Sequence, residues 1–463
     1  MIKQSDSIVR IGNAQGFWGD SSIAPATLIA QQPDLDYLTL DYLAEVSMSI
    51  LAIQREKDPL AGFASDFIEV VRSLIPFWKK GLHFKIVTNA GGLNPLGCAM
   101  ACQALLKGSG LAAMKIGVVS GDDLTTLFKD SSEASFQHLE TAESHQRIKS
   151  RLVSANAYFG AEPIVRALQA GADIVITGRV ADPSLTVAPC VAHFGWSWSD
   201  YDRLAGATIA GHLIECGTQV TGGISNHWLE VPDLSHIGFP VVEVDANGSC
   251  VITKPQKSGG VVSIETVKEQ LLYEIGDPDR YLSPDVTVSF LSLSLKEQGP
   301  NRIFLSGAKG RHPPSTYKVS ATYRDGFRAE ALLTIFGPDV VKKARLCGET
   351  ILKRCSDAGY ALERTNIECL GHPNEGVAPG VFPQNASKHS LECVLRICVA
   401  DSRKNALEFF SKEIASLVTC GPAGTTGYAS GRPRIRPVFG YWPCLIQTQH
   451  VLPQVTILEE LSE

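Results

Sequence analysis

The chain has no long apolar run. No uninterrupted hydrophobic stretch approaches the roughly 20 residues that a membrane helix requires, and the start, Met1-Ile-Lys-Gln-Ser-Asp-Ser, lacks the apolar core of a secretory signal. No membrane partner is expected, and the cytoplasm is the expected location. A basic footprint is missing too. With 42 Lys and Arg against 48 Asp and Glu, a net charge of -6 and an isoelectric point near 6.0, and no Lys/Arg run interleaved with aromatics, no nucleic-acid partner is expected. The 12 cysteines form no C-x-x-C pair and no small-domain disulfide spacing. Scattered through apolar segments such as Leu391 to Val399, they read as reduced core residues. G-x-S-x-G, H-E-x-x-H, EF-hand, Walker lysine and kinase signatures are all absent.

What remains is a well-folded composition, 44% hydrophobic and 19% charged, on a chain long enough for two or three domains. From Ser7 to about Ser120, strands Ile8 to Gly12, Tyr37 to Leu40, Phe84 to Val87 and Lys115 to Val119 alternate with helices from Pro25, from Asp66 to Lys80 and from Pro95. That is the pattern of βαβ units and predicts a mostly parallel sheet with flanking helices. A polar stretch from Asp122 to about Arg151 reads as a helical insertion or lid. The pattern resumes with helix Pro163 to Ala170, strand Ile174 to Thr177, helix Ser184 to His193 and helix Ala205 to Cys216.

The texture changes around Trp228, placing a domain boundary near residue 230: residues 1–230 an α/β domain, 231–463 an α+β domain. Strand candidates there are Val286 to Leu293, Arg302 to Ser306, and Tyr317 to Tyr323 turning at Arg324-Asp325-Gly326 into Phe327 to Phe336. Phe327 to Phe336 with helix Asp339 to Ala358, and Leu391 to Val399 with helix Asp401 to Val418, read as a strand–helix repeat. Such a repeat predicts a two-layer sandwich.

Four apolar strands of the first half run straight into polar loops: Val9 to Asp20, Tyr37 to Glu45, Phe84 to Pro95 and Asp173 to Ser184. In open parallel sheets, ligands bind beyond the carboxyl ends of the strands. Asn13, Asp20, Asp41, Glu45, Asn89, Asn94, Arg179 and Asp182 are therefore expected to converge. Gly12, Gly16 and Gly19 make a turn for close ligand approach, but not the G-x-G-x-x-G of a dinucleotide fold. Asp41 and Glu45 share a side if a helix starts promptly, and can divide acid and base roles or hold a divalent metal. Gly91 and Gly92 ahead of Asn94 either form an anion site or merely enter a helix. Arg179 suits a substrate carboxylate or an ion pair with Asp182. His212 and Glu215 can bind metal or act as acid and base, although one pair supplies too few ligands; the structural reading is preferred. Cys216 has no local activation beyond His212. The loop Lys254 to Gly260, with Gly259 and Gly260, reads as a phosphate-handling loop or a hairpin end. The stretch Thr88-Asn-Ala-Gly-Gly is like a short-chain dehydrogenase segment, but no Tyr is followed four residues later by Lys, so no NAD is expected.

These segments together resemble the acyclic terpene utilisation AtuA family. The resemblance rests on Gly-Asn-Ala-Gln-Gly-Phe-Trp-Gly-Asp at 12 to 20, Asp-Tyr-Leu-Ala-Glu at 41 to 45 and Thr-Asn-Ala-Gly-Gly-Leu-Asn-Pro at 88 to 95. It continues in Gly-Ala-Asp-Ile-Val-Ile-Thr-Gly-Arg-Val-Ala-Asp at 171 to 182, Glu-Cys-Gly-Thr-Gln-Val-Thr-Gly-Gly at 215 to 223 and Leu-Leu-Tyr-Glu-Ile-Gly-Asp-Pro at 271 to 278, and reaches Gly421-Pro-Ala-Gly and Gly440-Tyr-Trp-Pro-Cys. The family is named for its place in the breakdown of citronellol and geraniol, beside genes for acyl-CoA carboxylation and hydration. It supplies no catalytic set to carry over. Some members bear a small extra C-terminal domain, which this chain, ending at Glu463, is expected to lack.

The resemblance and the convergent loops imply an enzyme of branched acyl-CoA or carboxylic acid breakdown, using lyase or hydrolase chemistry. Asp41 and Glu45 would be acid and base or metal ligands, Arg179 would bind a substrate carboxylate, Asp182 stands with them as a catalytic candidate, and Asn89, Asn94 and the Gly91 and Gly92 amides would stabilise an oxyanion or phosphate. Asn13, Gly16 and Asp20 would line the ligand. The alternative is a noncatalytic metabolite-binding or assembly subunit of a carboxylase-type complex. A homo-oligomer is the common default.

Overall fold

The computed structural model describes residues 7–131, 136–372, 375, 391–428 and 430–459. The chain divides into two compact units, residues 1–322 with 441–463, and residues 323–440.

A ten-stranded sheet organises the first unit. At its centre are five parallel strands, drawn from β1 (Ile8–Asn13), β2 (Tyr37–Leu40), β3 (Lys85–Thr88), β4 (Ile116–Ser120) and, after β5 (Leu152–Ala157), β6 (Ile174–Thr177). Their order is β1-β2-β3-β6-β4. Antiparallel strands extend both ends: β7 (Val241–Asp245), β8 (Cys250–Thr253), Ile303–Ser306 and Ser294–Glu297 beyond β1, and Gln454–Leu458 beside β4. Parallel strands covered on both faces read as continuous apolar runs, and β2 and β6 are buried at every residue. Alternate side chains point to opposite faces. Leu38, Leu40, Ile86, Ile174 and Ile176 join one core with Phe67, Leu74 and Leu106 from helices Asp66–Lys79 and Pro95–Gly108. Helices Glu162–Gln169, Ser184–Phe194 and Tyr201–Glu215 cover the other face and pack on one another. The expected α/β class is what the fold shows: a large mixed sheet with parallel strands, flanking helices and further antiparallel sheets. Among the described residues no helix is long and apolar enough to cross a membrane.

The structure differs from expectation in three places. The compact units do not part near residue 230, because β7 pairs along the whole free edge of β1, Ile8 opposite Asp245 through Gly12 opposite Val241, and draws the following strands into the first sheet. Residues Thr316–Phe336 form one 21-residue strand rather than a hairpin. Gly326, at φ +81°, adjusts the strand's path against the backbone of Asp401 and Ser402 instead of reversing it. Between 286 and 293 only Thr287–Ser289 is strand. The polar stretch from 122 to 151 carries two short helices, Thr125–Asp130 and Gln146–Lys149, and its residues 132–135 lie outside the described ones.

In the second unit, Arg364–Leu370 and Glu392–Asp401 pair antiparallel, and Glu392–Asp401 also pairs with Phe327 to Phe336 of the long strand. Helices Val340–Asp357 and Lys404–Glu413 pack on this sheet through Ala344, Ile351, Leu407 and Phe410. Each helix follows directly on a strand of the sheet. Asp401 does not open its helix; Arg403 stands at the N-cap position, and its backbone N–H and Nε both donate to Asp401 Oδ1 at 2.8 Å.

The turn after β6 is fixed by close packing. A methyl on Gly178 would lie 2.2 Å from Asp122 Oδ1. Asp122 is anchored there through its other oxygen, Oδ2, which accepts from Asn156 Nδ2 and from Arg179 N, both at 2.8 Å. Gly178→Ala should therefore destabilise the protein by about 1–3 kcal/mol, as overpacking of a filled site does. Denaturant unfolding measures this, and a variant as stable as the parent would mean that Asp122 does not hold this turn.

Candidate active site

The polar loops after β1, β2 and β6 meet, with the end of helix Tyr201–Glu215 and residues 273–284, around a cavity of about 560 Å³. Of the expected residues, Gly16, Asp41, Glu45, Arg179 and Asp182 line it.

Arg179 sits at its centre, 2% exposed. One guanidinium nitrogen donates to the Leu43 carbonyl (2.5 Å) and to Asp182 Oδ1 (2.9 Å); the other donates to the Tyr158 hydroxyl (3.1 Å). The guanidinium carbon lies 4.2 Å from the centre of the Tyr158 ring, a cation–π stack. The ion pair with Asp182, one of the two readings open for Arg179, is present.

Glu45 opens helix Glu45–Lys57, where the helix N-terminus favours a negative charge. Its Oε1 accepts from the Tyr158 hydroxyl (2.8 Å) and from Lys318 Nζ (3.2 Å). Burial opposes its charge, but Arg179, Lys318 and Tyr158 outweigh that and hold its pKa down to about 2. Glu45 is therefore a fixed anion and a poor base, contrary to the expected acid–base pairing with Asp41.

The other carboxyls behave oppositely. Burial, then repulsion from Asp182, pushes Asp41 well above the ordinary carboxylate range, against the pull of Arg179 and of Asn89, whose Nδ2 donates to Asp41 Oδ1 at 2.7 Å. Asp182 is also raised by burial, with Arg179 opposing; a third of its side chain opens to the cavity, so solvent tempers the effect. Glu215 is raised well above its ordinary value by burial and by repulsion from Asp182 and Glu274. Burial lowers His212 to about 4, leaving a neutral ring. Its Nε2 faces the Gln270 carbonyl at 2.8 Å and must donate, since a carbonyl only accepts; Nδ1 is then the acceptor of the 2.9 Å contact with Glu215 Oε1. The pair is self-consistent only with the proton on Glu215. Cys216 is pushed up by burial and by Glu215, the reverse of what a thiolate nucleophile needs.

The remaining expected residues stand behind or away from the cavity. Asn89 braces the β2 loop, accepting from Tyr42 N at 2.7 Å while it holds Asp41. Asn13 Nδ2 donates to the carbonyls of Ile214 and Glu215 (2.6 and 2.9 Å), fixing the helix end that presents Glu215. Asp20 accepts from Gly16 N at 2.8 Å and closes the first loop on itself. Asn94 caps its helix through Gly97 N (2.9 Å) and donates to the Leu60 carbonyl (2.9 Å). Gly91 and Gly92 form the tight entry to that helix: Gly92 N donates to Asn89 O, and Gly91 O accepts from Asn94 N. Gly259 and Gly260 donate their amides to the His236 and Pro232 carbonyls, and Lys254 Nζ donates to Ser258 O at 2.8 Å. That loop spends its polar groups on itself, and none of these four glycine positions lines the cavity.

Sequence reading missed Tyr158, Lys318, Glu274 and Tyr281, all of which line the cavity. Glu274 holds a left-handed backbone, φ +59°, unusual for a non-glycine residue and common at functional loops. Among the described residues no group of three or more His, Cys, Asp or Glu is arranged to hold a metal ion. A second cavity, about 590 Å³, lies at the amino ends of β2 and β3, lined by Tyr37, Lys85, Asp173 and His193; its carboxyls, Asp36 and Asp173, accept from the backbone N–H groups of Arg10 and Lys115.

Compared with known proteins, residues 9–457 match the family described as acyclic terpene utilisation family protein AtuA. No curated protein and no solved structure matches.

The Glu45 network makes a pH prediction. Its folded pKa lies below the ordinary 4.5, so the stabilisation is present above about 4.5 and is lost as pH falls towards about 2. The difference in unfolding free energy between the parent and Glu45→Gln should be largest at neutral pH and shrink through that window. A pH-independent difference would show that Glu45 is not held as an anion.

Proposed function

Because the chain belongs to the acyclic terpene utilisation AtuA family, we propose that its cavity carries out acid–base lyase chemistry on a branched acyl thioester or a related carboxylic acid. The supporting observation is the set of three carboxyls, Asp41, Asp182 and Glu215, gathered around one buried arginine with raised proton affinities. Titratable groups whose environments push their pKa values apart are how one site offers an acid and a base together. Glu45, held down to about 2, stays charged while Asp41 and Glu215 keep protons, and Asp182, ion-paired with Arg179 at 2.9 Å, is the carboxylate that serves as base.

In this reading Asp182, the member most open to the cavity, takes the proton from the carbon next to the acyl carbonyl. Glu215 delivers its proton to the departing hydroxyl, which leaves as water, and a carbon–carbon double bond forms. Asp182 ends protonated and Glu215 ionised, and solvent exchange resets both. Neutral His212 orients the Glu215 carboxyl, and Asn89 positions Asp41, which serves as a second donor. Arg179 spends two guanidinium nitrogens on Leu43, Asp182 and Tyr158. Lys318, its side chain 44% exposed, is the cation placed to take a substrate carboxylate. Phe17, Leu139, Leu282 and Leu445 line the same cavity and are exposed, which suits a branched hydrocarbon chain. Covalent hydrolysis is not supported, because the Cys216 thiol is held protonated.

Turnover of branched 3-hydroxyacyl and 2-enoyl thioesters tests the reading. Asp182→Asn and Glu215→Gln should each lower kcat by roughly 10²–10⁴-fold, the usual worth of a positioned acid or base, with ligand affinity nearly kept. Tight binding with no turnover by the parent would replace the enzyme by a noncatalytic metabolite-binding subunit.

A further inference from the structure

The second unit carries a groove that this chemistry does not use. It encloses about 390 Å³, and its lining includes Arg328, Glu330, Ser430, Arg432, Arg434 and Arg436. Burial alternates along the segment: Arg432, Arg434 and Arg436 are exposed, Pro433 is buried and Ile435 is half-buried. The inward residues are anchored. The Pro433 carbonyl accepts from the buried Ser411 hydroxyl at 2.9 Å, and Ile435 packs on the core of the unit. Arg436 begins strand Arg436–Gln447, which pairs with Thr316–Phe336, the strand that carries Arg328. The arginines thus project from fixed backbone.

Among the described residues none of these four arginines has an ion pair to a carboxylate, whereas Glu330, the acidic residue of the lining, is matched by Arg396 Nε at 3.3 Å. Like charges gathered in a concave, partly apolar site repel one another and concentrate counter-ions. Planar guanidinium forks match phosphate oxygens two at a time. Four forks around a single phosphate leave most of their charge unmatched, while a diphosphate offers negative oxygens along its length. The volume is that of a small-molecule site rather than a macromolecular surface.

We propose that this groove of the second unit is a binding site for a small ligand bearing two adjacent phosphates. Calorimetric titration of the full chain with inorganic pyrophosphate, adenosine diphosphate and inorganic phosphate tests it. Pyrophosphate or adenosine diphosphate should bind at least about ten-fold tighter than inorganic phosphate, a gap of about 1.4 kcal/mol. The double variant Arg432→Gln, Arg434→Gln should lose that margin while its thermal unfolding midpoint stays at the parent value, since both side chains are exposed. Equal affinity of pyrophosphate and adenosine diphosphate would mean that only the phosphates are read; tighter adenosine diphosphate would mean that the site takes a nucleotide. Equal binding of phosphate and pyrophosphate, no binding of either, full binding by the double variant, or binding of an oligoglutamate peptide in place of pyrophosphate would each overturn the proposal.

Discussion

A guanidinium taken out of water needs partners for its charge, and Arg179, whose two terminal nitrogens are hydrogen-bonded while its Nε has no partner among the described residues, dictates the arrangement around it. Removing a charge from solvent costs several kcal/mol before its contacts return anything. Here the guanidinium meets three partners, the Leu43 carbonyl, the Asp182 carboxylate and the Tyr158 hydroxyl with its ring face, while Asp122 fixes the residue by accepting its backbone N–H. These partners follow β2, β6, β5 and β4 in the chain, and Leu43, Tyr158 and Asp182 line the cavity, so satisfying one side chain gathers its walls. The same charge holds Glu45 ionised and offsets part of the burial that raises Asp41, Asp182 and Glu215. Neutralising Arg179 would leave four carboxyls with no cation but Lys318.

The pattern of proton affinities follows from where each carboxyl stands relative to that cation. Glu45 also has Lys318, a phenol donor and a helix N-terminus, and loses its proton readily. Glu215 has instead a neutral imidazole and the repulsion of Asp182 and Glu274, and keeps its proton. Asp285, behind the loop, is raised to about 6 by burial although Ser184 Oγ and Ala161 N donate to it. Together with Asp122 it clamps the segment from Arg179 to Ser184 from below. A rigid floor of this kind lets small differences in environment separate acid from base.

Much of this was legible in the chain. β-branched runs ending in Asn13, Asp41, Asn89 and Arg179 identified the strands and their loop edge, because parallel strands buried on both faces leave a continuous apolar signature. The partition of roles among those residues was not legible, since it depends on hydrogen bonds that sequence spacing does not encode: Asn13, Asn89 and Asn94 all brace backbone rather than face the cavity. Paired glycines misled for the same reason; at Gly91-Gly92 and Gly259-Gly260 the loops spend their polar groups internally. Tyr158 and Lys318 escaped because they arrive on β5's trailing loop and on the long strand Thr316–Phe336, whose central Gly326 had the look of a hairpin turn. Family membership points to acyclic terpene utilisation but names no residue.

In this arrangement an ionised Glu45 stands beside protonated Asp41 and Glu215 around Arg179 at neutral pH. Infrared difference spectroscopy of the folded protein, with Asp41→Asn and Glu215→Gln as references, reads this directly through the carbonyl stretch of un-ionised carboxylic acid. This band should be present at neutral pH in the parent and weaken in each variant. A parent spectrum with no protonated-carboxyl band at neutral pH would contradict it.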